Sequence, residues 1–202
     1  MDKLAIFMFR NLKTSQVVVS KSPNIIGNNA LANQIANNAI KPLLRRQDMW
    51  APLVVVHGFD KLPHLTSKDH KNVPSDGSEQ HDLHTRLYKM ITAKLPDPLT
   101  LVRNFDLMSE QDYLRLPLDQ KRKFEMNMIE PKLDQLCRCF LYLNNSKIDY
   151  KLDLYWGNVD FSSQIPISKL TWPQNISHHK LDLVRGNIIT NPELKTASKI
   201  KL

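Results

Sequence analysis

The stretch Lys41-Pro42-Leu43-Leu44-Arg45-Arg46-Gln47-Asp48-Met49-Trp50-Ala51-Pro52-Leu53-Val54-Val55-Val56-His57-Gly58 decides how this chain is read. Leu53–Val56 is a continuous apolar run of strand length closed by His57-Gly58, as in a strand buried on both faces. Three cations, Lys41, Arg45 and Arg46, and an aromatic, Trp50, stand just before it. A strand running into a core holds such a cluster rigidly at its mouth, where guanidinium forks can meet phosphate oxygens. Neighbouring residues on an extended chain point in opposite directions, so Arg45 and Arg46 cannot both face one phosphate. One can reach nucleic acid while the other pairs with Asp48 or a second backbone. Trp50 can cover the core, stack at the cluster, or do both.

Toward the N-terminus, residues 5–9 and 17–20 are two β-prone runs joined by the turn chemistry of Asn11-Leu12-Lys13-Thr14-Ser15-Gln16, which predicts a hairpin. Leu31, Ile35, Ala36, Ala39 and Ile40 recur at helical spacing until Pro42. The first sixty residues thus read as β-hairpin, helix, strand, a small α+β unit with basic rims. Beyond them, residues 60–82 are rich in Lys, His, Asp, Ser and Pro and read as an exposed loop. A helix follows at 79–94, stopped by Pro96 and Pro98. Ser109-Glu110-Gln111-Asp112 is a helix-start signature, and between Leu118 and about Ile129 Lys121-Arg122-Lys123 is expected on an exposed turn. Pro131 suits the first position of an amphipathic helix that carries Leu133, Leu136, Cys137 and Phe140 and ends at Asn144-Asn145. Lys151–Trp156 alternates polar and apolar like a half-buried strand, and Trp172-Pro173 and His178-His179 fall in a loop-rich stretch. The expected architecture is α+β: a basic unit at 1–59, a loop at 60–82, helices and a short strand and loop region at 83–189, and a basic tail at 190–202 that orders on a partner.

The 202 residues carry a formal charge of +8, and it is segregated. Residues 1–50 hold seven Lys/Arg against two Asp/Glu, +5; 51–100 balance six against six and 101–150 eight against eight; 151–202 hold seven against four, +3. A positive face beside a neutral scaffold has this distribution, and it points to a polyanion as partner. The candidate nucleic-acid contacts are Arg10, Lys13, Lys21, Lys41, Arg45, Arg46 and Trp50, with Lys195, Lys199 and Lys201 in the tail. His178-His179 beside Trp172 can stack on bases or stay structural.

Other chemistry has little to stand on. The five glycines are far apart and no Gly-x4-Gly-Lys-Ser/Thr loop exists, which argues against nucleotide hydrolysis. Cys137 and Cys139 have no second pair to complete a zinc site and read as two buried, reduced thiols. His81 and His84, three apart, could share a helix face and hold a metal, although solvated loop histidines are the default. No apolar run is long enough to span a membrane, and Asp2 with no small-residue cleavage site argues against a secretory signal. The chain is read as non-enzymatic, with no cofactor and no metal.

Ile6–Ser20, Asn29-Ala30-Leu31 and Leu44–Val56 carry a resemblance over residues 5–57, about a quarter of the chain. They resemble the fungal mitochondrial homologous recombination protein family, whose members are also fungus-specific proteins of the large mitochondrial ribosomal subunit. The resemblance implies a protein of the mitochondrial matrix held in large-subunit rRNA and neighbouring mitoribosomal proteins. Its alternative implication is a factor that pairs homologous mitochondrial DNA without ATP, and the two can coexist.

Overall fold

Strand β3, Trp50–His57, is buried along its whole length and forms the middle of a five-stranded sheet. The computed structural model describes residues 4–23, 25, 34, 47–59, 78–145, 150–163, 170–185 and 187–194. β1 (Ile6–Asn11) turns into β2 (Val17–Ser20) as the predicted hairpin, and β4 (Leu152–Trp156) and β5 (Ile176–Lys180) complete the order β2-β1-β3-β4-β5. Every neighbouring pair is antiparallel except β4 and β5, which run parallel. The helix expected over Asn29–Ile40 lies outside the described residues apart from Gln34. That side chain clasps the outer edge of β2: Val19 N–H donates to its Oε1 (2.8 Å) and its Nε2 donates to Val19 C=O (2.7 Å).

Alternation on the strands builds two cores. Ile6 and Met8 face α1 (Ser78–Thr92) and α5 (Ile129–Asn145), joining Leu87, Ile91, Leu133, Leu136 and Phe140. Phe7, Phe9, Val18, Val55 and Tyr155 face the other way and are covered by Leu181 and Leu194. Between them run the short strands β6 (Leu183–Val184) and β7 (Ile188–Ile189), which pair as a small separate ribbon. A continuous Val run fits this double covering, as the sequence predicts for Leu53–Val56. For β4 the expectation was half-buried, yet all five residues are buried, Asp153 included, because the C-terminal segment closes the second face.

The pairing of β1 with β3 shifts between Met8, opposite Val54, and Phe9, opposite Pro52, leaving Leu53 as an extra residue. The bulge explains how a proline, with no N–H to give, sits in a central strand. It also lets Gly157 approach: its N–H donates to Leu53 C=O at 3.0 Å, and a Cβ there would lie 2.0 Å from the Pro52 carbonyl oxygen.

Three short helices separate α1 from α5. Pro96 and Pro98 read only as a stop, but Pro98 opens α2 (Pro98–Phe105), capped by Asp97, whose carboxylate accepts from Thr100 N–H at 3.0 Å. Pro at the first helical position after an Asp cap is as much a start as an end. Ser109 caps α3 (Glu110–Arg115) as its signature predicts, accepting from Asp112 N–H, while Lys121-Arg122-Lys123, read as an exposed turn, lie within a helix, α4 (Leu118–Met126). α1 already begins at Ser78, inside the range assigned to an exposed loop; the rest of 60–77 lies outside the described residues. α5 begins two residues before Pro131 and ends at Asn145, with Cys137 and Cys139 both buried as free thiols. His178 and His179 sit on β5, not in a loop, because the parallel partner β4 supplies hydrogen bonds that the local sequence does not advertise.

Candidate nucleic-acid interface

One end of the sheet is defined by the β1–β2 turn and the start of β3. Asn11 shapes the turn: its side-chain oxygen accepts from Lys13 and Thr14 N–H, both at 3.0 Å. Leu12 N–H donates to Met49 C=O at 2.8 Å, tying the turn to the residues that lead into β3. Lys13 is thereby presented, exposed, on a firmly bonded loop. Arg10, at the end of β1, is half-buried and lays its guanidinium over the Phe161 ring, 5.0 Å from the centroid. Phe161 belongs to α6 (Asp160–Ser163), directly after β4. The turn between β6 and β7 reaches the same end, since Asn187 donates its side-chain N–H to Trp50 C=O at 2.9 Å. Exposed Arg185 comes with it, and β5 ends toward this side at exposed Lys180.

Four described cations therefore rim this end: Arg10, Lys13, Lys180 and Arg185. The exposed carboxylates Asp48, Asp160 and Asp182 share it. The chain enters β3 here through a short 3-10 turn, Gln47–Met49. Lys41, Arg45, Arg46, Lys195, Lys199 and Lys201 themselves lie outside the described residues.

Two of the expected contacts are placed elsewhere. Lys21 follows β2 at the opposite end of the hairpin, where its ammonium lies 4.9 Å over the Tyr88 ring. Trp50 is only 2% exposed and fills the second core, so it takes the covering role and offers no face to a base.

The histidines resolve differently from expectation. His84 is a core residue, not a solvated one: its Nε2 lies 3.1 Å from Ala5 C=O and its ring meets Phe59 edge-on at 5.0 Å. His81's side chain lies outside the description, and no group of three potential metal ligands occurs among the described residues. His178 Nδ1 accepts from Trp156 Nε1–H at 2.9 Å, with the two rings coplanar and Trp172 edge-on to both. Burial, then the neighbouring His179, pushes the His178 pKa down, so the neutral ring with its proton on Nε2 is favoured. His179 stacks on Tyr155 at 5.0 Å and its Nε2 lies 3.2 Å from Asp153 Oδ1. Burial, then the Glu193 charge, pushes the Tyr155 hydroxyl up to about 12. Sequence reading placed these histidines beside Trp172 but missed their ring partners on β4, which only the parallel register supplies.

The described cations of the rim can neutralise phosphates. Residues 4–71 match the Mhr1 family model, described as transcriptional regulation of mitochondrial recombination. The Mhr1 match covers β1, β2, β3 and the basic segment between them, and includes the residues on which the resemblance was read. Its description concerns recombination and says nothing of a ribosome. No curated protein matches the chain.

Proposed function

We propose that this protein acts in the mitochondrion on DNA, in homologous recombination, by binding and aligning strands without nucleotide hydrolysis. The observation that carries this reading is the placement of the Mhr1 match: it falls on the β1–β2–β3 unit whose rim presents Arg10 and Lys13 and whose sequence supplies Lys41, Arg45 and Arg46. The role is non-enzymatic. Cations on a rigid hairpin turn displace counterions from sugar-phosphate chains and hold them in a fixed orientation, a term that is independent of sequence. Matching of two strands is then left to base pairing itself. The absence of a nucleotide-cradling glycine loop from the sequence is consistent with this division of labour. The ribosomal reading, placed first on sequence resemblance, gives way to recombination because the match speaks for the latter alone. The matrix is the compartment this role implies.

The test is a joint-molecule assay with purified full-length protein, a single strand and a homologous duplex, without ATP. Joint molecules above a generic basic-protein control support the reading, and none above it overturns it. In the same preparation Arg45→Ala with Arg46→Ala should flatten the salt dependence of DNA binding by about one to two phosphate contacts. An unchanged slope removes the basic segment from the interface.

A further inference from the structure

β5 holds an exposed ring in a fixed attitude. In the parallel register His178 lies opposite Leu154 and Lys180 opposite Trp156, so both side chains stand on the face of the first core, about 7 Å apart along the strand. Trp156 is fully buried and donates its indole N–H to His178 Nδ1 at 2.9 Å, with an angle of 6° between the two ring planes. His178 itself remains exposed. Half-buried Trp172 stands at 64° to it, 5.5 Å between centroids, and is fastened by its own Nε1–H to Ser162 C=O at 2.8 Å.

Cations flank this ring. Ser162 follows Phe161 on α6, and Phe161 is the ring over which Arg10 lays its guanidinium. β1 and β5 are three strand spacings apart, so the strands that carry Arg10 and Lys180 run about 14 Å from each other across the end of the sheet. Neither cation has a carboxylate partner among the described residues. Asp153, the carboxylate of β4, is on the opposite face, where His179 meets it. Exposed Asp160 opens α6 and repels phosphates from that helix start.

Phosphate neutralisation ignores the bases, whereas an aromatic plane engages them, since every base has a π-face. In a duplex those faces are taken up by neighbouring bases, so such a plane serves an unpaired strand. The bond from Trp156 orders the imidazole before any partner arrives, which lowers the entropy a stacked base has to offset. We propose that His178 is a base-stacking platform for single-stranded DNA, with Lys180 and Arg10 taking the flanking phosphates. The assignment rests on the recombination reading and extends it: it adds a contact on β5, outside residues 4–71, that distinguishes an unpaired strand from a duplex.

The test is equilibrium binding of the full-length protein to a single-stranded oligonucleotide, with 2-aminopurine placed at each position in turn, over a salt series. His178→Asn keeps an acceptor for the Trp156 N–H but has no aromatic face; His178→Phe keeps the face and loses the acceptor. The Asn variant should bind roughly fivefold to a hundredfold more weakly, the value of one stacked base, and lose the 2-aminopurine quenching that wild type shows. Its salt slope should stay that of wild type, because no phosphate contact is removed. The Phe variant should keep the quenching and most of the affinity, and duplex DNA should bind all three proteins alike. Circular dichroism checks folding; if the Phe variant does not fold, the Asn comparison decides alone. A wild type that quenches at no position overturns the proposal without any variant. So does an Asn variant with wild-type affinity, one whose loss comes with a flatter slope, or a folded Phe variant as weak as Asn. Joint molecules beside an unaffected Asn variant sink this assignment alone, whereas the His178 signature without joint molecules sinks the recombination reading alone.

Discussion

Lys132 offers a sharp test of how this core is assembled. It is 2% exposed on α5, and its ammonium donates to Ile91 C=O (2.8 Å), Ala93 C=O (3.0 Å) and Gln135 Oε1 (2.8 Å), closing the C-terminal end of α1. Burial lowers its pKa from 10.5 to about 8. The folded state therefore releases this proton before the unfolded chain does, and between pH 8 and 10.5 the unfolded chain holds more protons. Stability from this group rises with pH across that window, is complete above 10.5 and is lost as pH falls through 8. The full shift corresponds to about 3 kcal/mol, of which roughly 1 kcal/mol falls between pH 7 and 9. Burial moves Cys137 up to about 11 and Cys139 up to about 12 from 9.0, so these thiols act the other way above pH 9. The comparison thus belongs below pH 9. Lys132→Met removes the buried charge but takes the ammonium from the Ile91 carbonyl, at about 1–3 kcal/mol, while Ala93 C=O keeps the Gln135 amide, so its stability at pH 7 alone decides little. The slope does decide. Urea unfolding at pH 7, 8 and 9 should show wild type gaining about 1 kcal/mol over the Met variant. Parallel curves for the two proteins would refute the claim that the ammonium is held in a desolvated site.

Three further outcomes follow from the geometry. Gly157→Ala drives a methyl group onto the Pro52 carbonyl, 2.0 Å away and on backbone that cannot swing aside, so thermal melting should show a loss of about 3 kcal/mol or more. Ser109→Ala removes the acceptor for Asp112 N–H and should cost about 1 kcal/mol, seen as faster amide exchange in α3. Arg10→Ala with Lys13→Ala should lower the salt slope of DNA binding by about two contacts, while Lys21→Ala, at the other end of the hairpin, leaves it unchanged; equal effects from both would remove the rim as the binding end.

What could be read in advance was whatever is written locally. The hairpin rests on Asn11 and its neighbours, the α3 start on Ser109, and the buried strand on three successive valines; all stand where the residues put them. Apart from the helix starts at Ser78, Pro98 and Leu118, the misreadings share one cause, dependence on distant partners. Asp153 looks like a solvent-facing residue until β3 and β5 flank it, with His57 and Ser177 opposite it and His179 Nε2 3.2 Å from its carboxylate. His178 and His179 look like loop residues until β4 lies parallel beside them, and His84 looks like a surface helix residue until Ala5 and Phe59 enclose it. The rim was half-legible: charge counting found Arg10 and Lys13 but not Lys180 or Arg185, which topology alone carries to the same end.

The Gln34 amide has a consequence for how the molecule behaves in company. By giving and taking one hydrogen bond at Val19, it stands where the next strand of a neighbouring molecule would dock, so the β2 margin is already occupied. The opposite margin is studded with His178, His179 and Lys180. A sheet finished in this way resists sideways growth into fibrils.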